Sequence, residues 1–97
     1  MKSFDEIKKL LAEHKETLEN KYKVKSMGVF GSFVRGKQKK KSDIDILVEF
    51  SETPDLFEFL DLEEYLKKIL GRKVDLVTKN ALKPLIKDRI LSEVVYV

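Results

Sequence analysis

The chain contains no cysteine, which excludes disulfide staples and thiolate metal centres. It has one histidine, His14, so a histidine-based zinc site cannot be assembled. No apolar run approaches the ~20 residues that a membrane-crossing helix needs. Asp5 and Glu6 stand where a signal peptide would carry an apolar stretch. The expectation is a cytoplasmic protein without a membrane partner. Tyr22, Tyr65 and Tyr96 are scattered in the sequence, with no sign of the aromatic platform on which single-stranded nucleic acids stack. Repeats, low-complexity segments and linkers are also lacking.

What is present fits one domain, residues 1–97. Apolar residues make up 42% of the 97 positions, an ordinary share for a globular chain that argues against disorder. Charged residues reach 38%, above the usual quarter or so. Lys and Glu dominate that excess, a pattern reported for heat-adapted proteins. The formal net charge of +3 suits a polyanionic ligand without requiring one.

The order of elements is legible. Ser3 with Glu6 has capping-box spacing, and Phe4, Ile7, Leu10, Leu11, His14 and Leu18 form one helical stripe ending near Asn20 to Lys23. The segment 24–30 reads as a strand broken by Gly31-Ser32, and 32–35 as a short helical turn closed by Gly36. Residues 42–50 form the clearest strand. Thr53-Pro54 reads as a helix start, Leu56, Phe59, Leu60, Leu62, Leu66, Ile69 and Leu70 as its apolar side, and Gly71 as its stop. A third strand covers 72–78. Asn80 is expected to cap a last helix with Leu85, Ile86 and Ile90 on its apolar side, and 93–97 to form a short terminal strand.

Between residues 50 and 72 there is room for a full helix, which suits a crossover between parallel strands. Between 30 and 42 there is not, so the first two strands are expected to be antiparallel. The fold class is therefore α/β (α+β), with a small mixed sheet in the order 1-2-3 and helices packed against it. This topology carries Gly31-Ser32, Asp43, Asp45 and Asp75 to one edge of the sheet.

Asp43 and Asp45 are one residue apart on a strand, so both point to the same face while Ile44 and Ile46 point to the other. Carboxylates so placed lie ~6–7 Å apart and repel by roughly 2–3 kcal/mol at an effective dielectric near 20. Asp75 adds to that charge. Mg²⁺ or Mn²⁺, hard cations that prefer oxygen ligands, would relieve it, and two such ions can clamp an in-line displacement at phosphorus. Gly31 allows close backbone approach, and Ser32 with the following N–H groups can cradle a phosphate. Arg35 can reach a phosphate or hold an aspartate. Lys37, Lys39, Lys40 and Lys41 border the site. Each piece also has a plain alternative. Asp-x-Asp on a strand is common, Gly-Ser after a strand is usually a turn, and a lysine-rich loop is usually solvated surface. Asp75 could simply pair with Arg72, Lys73 or Arg89. His14 is expected at the edge of the core without a chemical role.

Together, Gly31-Ser32-Phe33-Val34-Arg35-Gly36 followed by Ser42-Asp43-Ile44-Asp45-Ile46-Leu47-Val48 resembles the signature of the DNA polymerase beta-like nucleotidyltransferases, and most of all their minimal, MntA-like subgroup. The resemblance spans nearly the whole chain and implies the polymerase beta palm-like fold. It also implies magnesium-dependent transfer of a nucleoside monophosphate to a hydroxyl. Asp43, Asp45 and Asp75 would be catalytic and would ligate two Mg²⁺ (or Mn²⁺) ions, and Asp75 would also help deprotonate the acceptor. Gly31, Ser32 and Arg35 would bind the nucleotide. Many members of the subgroup look like antitoxins paired with a helical HEPN-type toxin, and some adenylylate it. ATP as donor and a hetero-oligomer with such a partner are then expected. Val34 departs from the common Ala, and the loop before Ser42 lacks the acids many relatives carry. Two other functions remain open: an antitoxin that neutralises by binding alone, and a nucleic-acid binder using residues 37–41. The last lacks a recognition helix.

Overall fold

The computed structural model describes residues 3–97; Met1 and Lys2, which head the segment read as unlike a signal peptide, lie outside the described residues. The chain opens with α1 (Phe4–Glu13), whose first turn is capped by the Ser3 hydroxyl accepting from the Glu6 N–H at 3.2 Å. The expected single helix is in fact two. The backbone turns at His14 before α2 (Lys15–Asn20), and the His14 Nδ1 lies 2.8 Å from the Leu10 carbonyl oxygen. A side chain competing for a helix carbonyl is a known way to end regular helix.

Strand β1 (Val24–Phe30) leads through the short α3 (Ser32–Arg35) and a polar loop to β2 (Ile44–Phe50). Helix α4 (Leu56–Leu70) then crosses over to β3 (Val74–Thr78). A 3₁₀ turn (Lys79–Ala81), α5 (Pro84–Glu93) and β4 (Val95–Tyr96) complete the chain. Two expected helix starts move. Asp55, not Thr53, caps α4, through a reciprocal capping box with Glu58. Asn80 falls in the 3₁₀ turn, and α5 begins at Pro84 with no side-chain cap. In the first case an acid with Glu three residues on can satisfy two orphan donors, which a Thr-Pro pair cannot.

The sheet order is β3-β2-β1-β4. The expected 1-2-3 core is present, with β1 and β2 antiparallel and β2 and β3 parallel. β4 extends it on the β1 side. Alternation along the strands sorts the two faces. Met27, Val29, Ile44, Ile46, Val48, Val74 and Leu76 turn toward Ile7, Leu11, Leu18, Leu62, Leu66 and Leu70 and form the core. Removing these side chains from water is the main stabilising term. Two expected apolar stripes are only partly buried. Leu56 is 68% and Leu85 96% exposed; each lies in the first turn of its helix. Tyr22 and Tyr65, scattered in sequence, meet with ring centroids 5.0 Å apart, and His14 stands edge-on to Tyr65.

Candidate active site

Asp45 is the second residue of β2. Its neighbours Ile44 and Ile46 are fully buried, so strand geometry sends Asp45 to the opposite face. On β3, Val74 and Leu76 face the core and Asp75 is exposed between them. The parallel register places Asp75 directly beside Asp45, with backbones separated by the ~4.8 Å of adjacent strands. Asp43 lies two residues earlier, on the exposed lead-in to β2.

These acids act on one another. The Asp45 carboxyl is pushed up from 3.8 to about 6, first by burial, then by the charges of Asp75 and Asp43, with Arg35 pulling the other way and Glu93 adding a further push. Among the described residues Asp75 has no ion pair with Arg72, Lys73 or Arg89; the recorded pairs involve other groups. Arg72 is engaged elsewhere. Its guanidinium donates to the carbonyls of Lys39, Lys40 and Ser42 at 3.3, 2.8 and 2.8 Å and lies over the Phe33 ring.

On the other strand of the antiparallel pair, Phe30 is the register partner of Asp45. The next residue, Gly31, has φ 79° and ψ −150°, a region essentially reserved for glycine. A Cβ built there would fall on the Asp45 carboxylate. Glycine at this position therefore lets the turn and the aspartate touch. α3 follows, with Ser32 half-buried at its start and Phe33 buried as its anchor. The first N–H groups of any helix lack intrahelical partners and are free for an anion. At the other end of α3, Arg35 forms an ion pair with Glu93 at 3.2 Å. Lys40, Lys41, Ser42, Asp43, Arg72 and Lys73 line a cleft of about 430 Å³ that contains Asp43 but neither Asp45 nor Asp75. Of the four lysines expected to border the site, Lys40 and Lys41 share this cleft with Asp43. A larger depression, about 670 Å³, lies between Tyr22 and α4 and contains none of the three aspartates.

Among the described residues, no three Asp, Glu, His or Cys side chains stand as a ready-made ion cage. The donor set nonetheless fits magnesium, which is usually held by one or two carboxylates plus waters and substrate phosphates. Crowded acids with a raised carboxyl are what a divalent cation would relieve.

Two residues near this site were given no role in it from the sequence: Glu93, and Arg72, which was named only as a possible partner of Asp75. Glu93 reaches it only because β4 returns beside β1, and Arg72 only because β3 lies next to the loop before β2. A terminal strand was expected, but without a neighbour it gave Glu93 no place.

The fold and site define a nucleotidyl-transferring enzyme. Residues 11–97 match the family model described as the nucleotidyltransferase domain, and the chain belongs to that family. Protein adenylyltransferase MntA of Thermococcus cleftensis is 50% identical over 97 residues, covering 100% of this chain and 98% of the relative. A solved structure provisionally named a minimal nucleotidyltransferase superposes with a TM-score of 0.75 at 31% identity, over 92% of this chain and 93% of that one. A solved toxin–antitoxin with AMP-PNP matches with a TM-score of 0.69 at 28% identity, over 95% of this chain and 69% of that one.

Proposed function

We propose that this nucleotidyltransferase moves AMP from ATP to a hydroxyl of a partner protein, and that it serves as the antitoxin of a pair with a helical HEPN-type toxin. The observation that carries the reading is the junction of Gly31 with Asp45 and of Asp45 with Asp75. One continuous surface then offers donors for a triphosphate and carboxylates for the reacting phosphorus. The MntA relative's name and the neighbour holding AMP-PNP in a toxin–antitoxin support the donor and the setting.

Asp43, Asp45 and Asp75 would hold Mg²⁺ or Mn²⁺, which when bound neutralises phosphate charge and activates the attacking oxygen. Ser32 and the start of α3 would receive the phosphates, with Arg35 as their cationic partner. The acceptor oxygen forms a bond to the α-phosphorus, and the bond to the bridging oxygen breaks. Pyrophosphate leaves with that electron pair, and the hydroxyl proton passes to Asp75. β3 is one of the two edge strands of the sheet and Asp75 is exposed on its outer face, where another chain can present a hydroxyl.

Exposed apolar side chains, Phe57 at 77% and Leu85 at 96%, favour a second reading in which complex formation alone neutralises the partner. One experiment separates the two. The chain is incubated with labelled ATP, Mg²⁺ and the helical protein encoded beside it, and label on that protein is measured. Label transfer that Asp43→Ala and Asp45→Ala abolish, with neutralisation lost as well, supports catalysis. If both variants still neutralise fully, binding is the function.

A further inference from the structure

Glu93 is the last residue of α5, and three local facts fix its place. β1 and β4 are antiparallel with Val29 opposite Val95. Two residues onward on β1 and two back toward α5, the same register sets Gly31 against Glu93. Gly28 admits this close return, since a Cβ there would come within 2.5 Å of Val94 Cγ2. Glu93 is thus anchored by backbone pairing and packing, and its side chain is only 17% exposed.

Both oxygens of that one carboxylate are engaged. Oε2 accepts the Gly31 N–H at 3.3 Å, and Oε1 pairs with Arg35 Nη1 at 3.2 Å. Gly31 precedes α3 and Arg35 ends it, so a single side chain ties the two ends of a four-residue helix. A helix of one turn is not stable alone, and the Gly31 conformation persists only if its surroundings impose it. A fourth acid next to Asp43, Asp45 and Asp75 also works electrostatically against a triphosphate. Its presence there calls for a geometric role.

We propose that Glu93 is a positioning residue for the phosphate-binding turn, holding Gly31 and Arg35 in the arrangement that receives the triphosphate. The inference rests on the nucleotidyl-transfer reading above. Fixing a group in its bound geometry before the ligand arrives improves affinity by removing an ordering cost.

The test uses the full chain with Glu93→Gln and Glu93→Asp. Gln keeps an acceptor for the Gly31 N–H but turns an amide donor or a neutral oxygen toward Arg35. Asp keeps the charge but is one methylene too short to span both donors. Calorimetric titration with ATP and Mg²⁺, transfer kinetics, and exchange of the Gly31 amide in the nucleotide-free protein are measured for each. Both variants are expected to raise Kd and KM about fivefold, the scale of one lost pre-ordered side chain, with kcat little changed. Glu93→Asp should also speed Gly31 exchange. Equal or tighter ATP binding by Glu93→Gln overturns the proposal, because the carboxylate would then act only as a repelling charge. Wild-type affinity in Glu93→Asp overturns it as well. If the wild-type chain binds no triphosphate, the transfer reading falls and this proposal with it. If the wild type binds and transfers while the Glu93 variants match it, only the Glu93 role falls.

Discussion

Replacing Asp45 with Asn should make the metal-free protein more stable while abolishing its response to nucleotide. Asn has nearly the same shape, so the change removes charge without opening a cavity. The folded carboxyl ionises near 6 instead of 3.8, so folding disfavours the charged form. At ~1.36 kcal/mol per pH unit the full displacement corresponds to about 3 kcal/mol. Asp45 is only half-buried, and solvent screens such charge interactions, so about 1 kcal/mol is the realistic gain. The penalty is present above pH 6 and is relieved as pH falls from about 6 to about 4, because the folded state then binds the proton first. The stability advantage of Asp45→Asn should therefore be full at pH 7 and vanish near pH 4. Thermal unfolding in EDTA at pH 7 should show Tm raised by ~4–8 °C, the usual response of a domain this size to 1 kcal/mol. With Mg²⁺ and ATP at 100 times Kd, the wild type should gain ~2.7 kcal/mol and the variant almost nothing, reversing their order. An Asp45→Asn protein less stable than wild type in EDTA at pH 7, or one stabilised equally by Mg²⁺-ATP, would refute the reasoning.

Two further perturbations probe the scaffold of the site. Gly31→Ala forces a methyl group into a backbone region that costs ~1–3 kcal/mol and drives it onto Asp45. Denaturant unfolding should show a loss of ~3 kcal/mol together with loss of Mg²⁺-ATP binding, and a loss under 1 kcal/mol would contradict the geometry. Arg72→Ala removes the donor to the carbonyls of Lys39, Lys40 and Ser42. Hydrogen bonds from a charged group are worth ~1.5–3 kcal/mol, so stability should drop by ~2 kcal/mol. Amide exchange across residues 39–43 should quicken; unchanged exchange there would show that Arg72 does not hold the loop.

The strands β1, β2 and β3, the stop at Gly71 and the turn at Ser32 to Arg35 were readable in the sequence because they rest on short-range rules. Side-chain alternation, glycine at left-handed positions and chain length between strands act within a few residues. The pairing of Asp45 with Asp75 followed from them, since a right-sized crossover sets β3 parallel beside β2. The exposed sides of α4 and α5 were less legible. A stripe such as Leu56, Phe59 and Leu60 shows that a helix has an apolar face, but not how far the sheet beneath it extends. The division of the first helix at His14, where the ring Nδ1 lies 2.8 Å from the Leu10 carbonyl oxygen, is not registered by periodicity.

By itself the sequence determined which strand face Asp45 and Asp75 occupy, opposite the buried Ile44, Ile46, Val74 and Leu76, because the two-residue period of a strand is a local property of the backbone. Only the tertiary structure decided that Glu93 lies against Gly31 and Arg35, and that Arg72 secures the lysine loop. Both are pairings across more than thirty residues of chain. They exist because β4 returns beside β1 and β3 lies next to β2, and no local preference of Glu or Arg encodes where such a return will fall.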